Sequence, residues 1–82
     1  GMPQYPQTMI NVRTPSKADL QAPAIQAGVT KLEAQLGDRG RVVLRASGTE
    51  PVVRVMVEGQ DHDEVVALAE ELADVVRTVA AG

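Results

Sequence analysis

Two arginines, Arg45 and Arg54, bracket the run Ser47-Gly48-Thr49-Glu50-Pro51. A guanidinium is a planar, permanently charged fork that can grip an oxyanion with two hydrogen bonds at once. Ser47 and Thr49 add hydroxyls, and Gly48, lacking a Cβ, leaves backbone N–H groups open to a ligand. Two cations, two hydroxyls and a bend of amides around one point suit a dianionic oxyanion such as phosphate. The same residues also make an ordinary hairpin with solvent-facing arginines, and residue types alone leave both readings open. The run is no nucleotide cradle, because it lacks the GxxxxGKS or GxxxxGKT pattern. Glu50, the only carboxylate in the loop, and Pro51 are read as supporting the turn.

Other chemistry is scarce. With one histidine and no cysteine, the chain offers no thiolate metal site, no disulfide and no Ser–His–Asp or Cys–His nucleophile. His62 stands beside a predicted helix start among acidic neighbours and is read as a surface residue. Glu64, Glu70, Glu71 and Asp74 fall mostly off the apolar stripe of that helix and are read as its solvated face. No catalytic residue and no metal ligand is assigned.

The elements that must position the arginines follow from periodicity. Residues 1–7 carry two prolines and read as a linker or added arm, with Gly1 before Met2 resembling a cloning remnant. Thr8–Arg13 alternates as a half-buried strand, and Thr14–Pro23 is a loop leading to a helix. Ile25, Val29, Leu32 and Leu36 form one stripe of a helix over Pro23–Leu36, with Pro23 in the first turn and Gly37 as a left-handed stop. Arg41–Ala46 and Val52–Glu58 are strands joined by the polar loop, and Asp61–Ala80 is a second amphipathic helix started by Asp61. The order strand, helix, strand, strand, helix predicts an α+β two-layer domain, an antiparallel sheet with both helices on one face. Side-chain parity then aims Val42, Leu44, Val53, Val55 and Val57 at the helices, so Arg45 and Arg54 project from the helix-free face.

Composition sets the frame. At 82 residues the chain makes one small domain, residues 8–82, and its 44% hydrophobic content is ordinary. Tyr5 is the only aromatic residue, so the core must be built from aliphatic side chains and methionine. Such a core is thin, and modest stability is expected. A net charge of −3 with no basic block and no stacking aromatics speaks against nucleic-acid binding. No stretch reaches membrane-span length, no secretory signal is visible, and the lack of cysteine fits the cytoplasm.

The run Arg45 to Pro51, followed by Arg54 and Val55-Met56-Val57-Glu58-Gly59, resembles the phosphate-binding loop of the α-D-phosphohexomutases. The continuation Arg-Val-Met-Val-Glu-Gly is most like the phosphoglucosamine mutase branch, and Met2 to Arg13 is similar to the entry into that family's last domain. The resemblance covers nearly the whole chain. It implies a TATA-box-binding-protein-like C-terminal domain, the last of four around a cleft. In the parent it implies interconversion of glucosamine 6-phosphate and glucosamine 1-phosphate, on the route to peptidoglycan precursors. A phosphoserine and Mg²⁺ belong to other domains in that family, and neither motif can be matched here. By position, Arg45, Ser47, Gly48, Thr49 and Arg54 would hold the non-reacting phosphate. The partners implied are a phosphosugar and the other domains of the parent, with the domain inactive alone. A phosphomannomutase or phosphoglucomutase parent, or a stand-alone α+β regulatory or interaction module, are the alternatives.

Overall fold

Alternation and stripe each find their partner surface. The computed structural model describes residues 5–14, 20–47 and 51–81. It places β1 at Gln7–Arg13, α1 at Pro23–Leu36, β2 at Arg41–Ala46, β3 at Val52–Glu58 and α2 at His62–Ala81. The three strands form one sheet in the order β1-β3-β2, with both outer strands antiparallel to β3. The architecture is the expected α+β arrangement. Strand β1 starts at Gln7, which pairs with Glu58, and the Pro6 carbonyl accepts the Gly59 N–H at 3.1 Å. The end of the proline-bearing arm is thereby drawn against the sheet, while residues 1–4 of that arm lie outside the described residues.

The helices cover the face that parity selects. Val12, Val53, Val55 and Val57 are at most 1% exposed and pack with Ile25, Leu32 and Leu36 of α1 and Val65, Leu68, Leu72 and Val76 of α2. Val29, Val42 and Leu44 are half-buried at the edge of this core. Gly28 faces the second helix, where a Cβ would make ordinary van der Waals contact with the Leu72 and Val75 side chains. Lys31 bonds Glu71 across the two helices at 3.3 Å, an exposed pair that contributes little. Among the described residues, no helix is long and apolar enough to cross a membrane.

Chain reversals are handled by specific groups. The Asp61 carboxylate accepts the N–H groups of Asp63 and Glu64 at 3.0 and 3.4 Å, capping α2. Gly37 does adopt a positive φ of 60°, but with ψ of −139° it is not in the left-handed helical well. Its positive φ launches a 3₁₀ turn over Gly37–Arg39 that delivers the chain directly into β2. At Gly40 the backbone lies so close to β3 that a Cβ would overlap the Glu58 carbonyl oxygen.

Candidate functional site

On the helix-free face the side chains stand in cross-strand rows. Arg45 of β2 is the direct partner of Arg54 in β3, and Arg54 is in turn the partner of Asn11 in β1. All three are exposed. Direct partners in an antiparallel pair lie about 4.5–5.5 Å apart at Cα, so the two guanidinium groups share one neighbourhood. The next row away from the loop is Met9, Met56 and Val43, and the row beyond is Gln7, Glu58 and Arg41. Arg41 faces Glu58 at 3.7 Å. No carboxylate among the described residues pairs with Arg45 or Arg54, although the chain as a whole is acidic. Like charges placed directly opposite repel, and a bound anion removes that cost.

The hairpin loop is pinned at both ends. The Ser47 N–H donates to the Val52 carbonyl at 2.8 Å, which extends the β2–β3 ladder one residue past the end of β2. On the other side, Thr14 donates both its N–H, at 2.7 Å, and its hydroxyl, at 3.0 Å, to the Pro51 carbonyl. Thr14 is 5% exposed, the one buried polar residue among the described residues. The Pro51 carbonyl is thus held by the residue that follows β1. Arg45, Ala46, Ser47, Val52 and Arg54 line one hollow at the loop's base. Of the other expected site residues, Gly48, Thr49 and Glu50 lie outside the described residues.

A family model described as phosphoglucomutase/phosphomannomutase, C-terminal domain, matches residues 9–75. The chain belongs to this family. It is 56% identical over 81 residues to a phosphoglucosamine mutase of Methylobacillus flagellatus, covering 98% of this chain and 18% of the relative. A phosphoglucosamine mutase of Aliivibrio fischeri is 49% identical over 78 residues, again with 94% of this chain and 18% of the relative covered. The chain therefore spans under a fifth of the length of these relatives. Among solved structures it is similar to the Aspergillus fumigatus N-acetylphosphoglucosamine mutase in complex with GlcNAc-6P and magnesium. That match has a TM-score of 0.77 at 28% identity, over 93% of this chain and 16% of the other. An N-acetylglucosamine-phosphate mutase of the α-D-phosphohexomutase superfamily, in its product complex, matches with a TM-score of 0.75 and 28% identity over 89% of this chain and 15% of that one.

The phosphohexomutase match takes in most of β1, both loop arginines and most of α2. Two residues absent from the sequence-based candidates belong to the same corner. Asn11 and Arg13 line a second hollow together with Ser47, Val52 and Arg54. Their outward parity in β1 was readable; that β1 lies beside β3 was not. His62 is exposed, with its Nδ1 3.8 Å from an Asp63 carboxylate oxygen. Among the described residues, no three His, Cys, Asp or Glu side chains gather as a metal-holding group.

Proposed function

We propose that this chain is the phosphate-holding domain of a longer phosphoglucosamine mutase, which interconverts glucosamine 6-phosphate and glucosamine 1-phosphate. The observation that carries the reading is the row of Arg45 against Arg54 at the base of the pinned hairpin, without a carboxylate partner among the described residues. Two relatives about half identical to the chain bear the phosphoglucosamine mutase name. The fungal neighbour solved with GlcNAc-6P lends support for a phosphosugar ligand.

In this reading Arg45 and Arg54 clamp the phosphate that is not reacting, and Ser47, Gly48 and Thr49 complete the cradle. Holding the distal phosphate fixes the sugar hydroxyl for attack, so remote binding energy lowers the barrier of the reacting step. A bisphosphate intermediate must turn end for end, and phosphate is the group both ends share. One grip therefore serves both half-reactions. The phosphoserine donor and the magnesium belong to parts of the parent beyond this chain, where positioning and electrostatic stabilisation of phosphoryl transfer would be supplied. The domain alone is then a weak binder and no catalyst. A cytoplasmic location, with the product feeding peptidoglycan precursors, is part of the same reading.

Kinetics of the complete enzyme test it. Arg45→Gln or Arg54→Gln should lower kcat/KM for glucosamine phosphate about 10- to 100-fold, the cost of a lost charge-assisted hydrogen bond in a closed cleft. Unchanged kinetics in both variants would remove the site.

A further inference from the structure

We propose that Arg13, at the end of β1, is a third cation of the anion site. The assignment builds on the phosphate reading above and adds a strand to it. Arg13 is the Cα partner of Val52, and Ser47 lies against Val52 on the opposite side. Arg13, Val52 and Ser47 thus form the last row of the helix-free face, next to the row of Asn11, Arg54 and Arg45. Arg13 stands diagonal to Arg54, a relation of about 7–8 Å that long side chains span. The hollow lined by Asn11, Arg13, Ser47, Val52 and Arg54 shares Ser47, Val52 and Arg54 with the one at the loop's base, which Arg45 also lines.

The end of β1 is held in this position. Thr14, the next residue, is buried and gives two hydrogen bonds to Pro51, so Arg13 is fastened to the far side of the loop. The opposite end of the same sheet face provides a contrast. There Arg41 is matched by Glu58, whereas no carboxylate among the described residues matches Arg13, Arg45 or Arg54. In a chain of net charge −3, three such arginines at one corner concentrate positive potential where the hairpin turns. Two forks satisfy the oxygens of one phosphate; a third cation approaching from β1 adds attraction that grows with the ligand's charge. The corner therefore suits a doubly charged phosphate monoester, with Arg13 acting through its charge.

The test is an NMR titration of the 82-residue chain with inorganic phosphate at low ionic strength, comparing wild type, Arg13→Gln, Arg13→Lys and Arg77→Gln. Arg77 is on α2 beside Asp74 and controls for net charge. Arg13→Gln should weaken binding roughly three- to tenfold, Arg13→Lys should restore most of it, and Arg77→Gln should change little. The gap between wild type and Arg13→Gln should close as salt is raised, because an exposed charge is screened. A merely structural role for Arg13 would show no such salt dependence. Equal binding by wild type and Arg13→Gln, or equal losses in Arg13→Gln and Arg77→Gln, overturns the third cation and leaves the arginine pair standing. Absence of phosphate binding in the wild type overturns both.

Discussion

Arg45 and Arg54 are cross-strand partners, and that placement of like charges costs the domain stability. Opposed like charges on a sheet cost on the order of 0.2–1 kcal/mol. Arg54→Gln should therefore raise the chain's thermal midpoint slightly while weakening phosphate binding, a trade that differential scanning calorimetry with and without phosphate would read. A lowered midpoint without ligand would show that Arg54 serves the fold. The ligand's own ionisation gives a second expectation. A phosphate monoester takes its second charge at about pH 6, so glucosamine 6-phosphate should bind more tightly at about pH 7.5 than at about pH 5. Titration at the two values checks the sign, and equal affinity would speak for a site indifferent to the dianion.

The devices that aim those side chains are the strand pairings and the tight ends of the elements. Asp61→Ala removes two accepted N–H bonds at the start of α2 and should cost about 0.5–2 kcal/mol in denaturant unfolding. Gly40→Ala puts a Cβ into the Glu58 carbonyl and should destabilise by about 1–3 kcal/mol or more, since backbone cannot step aside as a side chain can. Much of this level was legible beforehand. Val42, Leu44, Val53, Val55 and Val57 told which way Arg45 and Arg54 point, even though Val43 and Met56 on the arginine side blur the alternation, because a slip by one residue would have buried both. Strand order was not legible: nothing within β1 announces that its neighbour is β3, so Asn11 and Arg13 went unassigned. Nor did the apolar stripe of α2, read as Val65, Leu68, Ala69, Leu72, Val75, Val76 and Val79, announce Ala73, which is fully buried; a small residue fits core and surface alike. The glycine itself foretold a positive φ but not the ψ that takes it out of the left-handed well.

At the level of the whole molecule, an aliphatic core holds a charged corner in place. Stability of roughly 0.05–0.15 kcal/mol per residue is usual, and Leu72→Ala, at a fully buried position, should cost about 2–5 kcal/mol. That loss is a large share of the total and should lower the thermal midpoint read by circular dichroism by roughly 10 °C or more, loosening the support of the site. The division of labour is equally plain in the proposal: a domain under a fifth the length of its relatives grips one phosphate, and the rest of the parent does the chemistry. Two-dimensional NMR of the chain during addition of glucosamine 6-phosphate tests that claim most directly. Saturable shifts should appear first at the amides of Arg45, Ser47, Val52 and Arg54, with α1 and α2 unmoved. Shifts confined to the helices, or none that saturate, would contradict it.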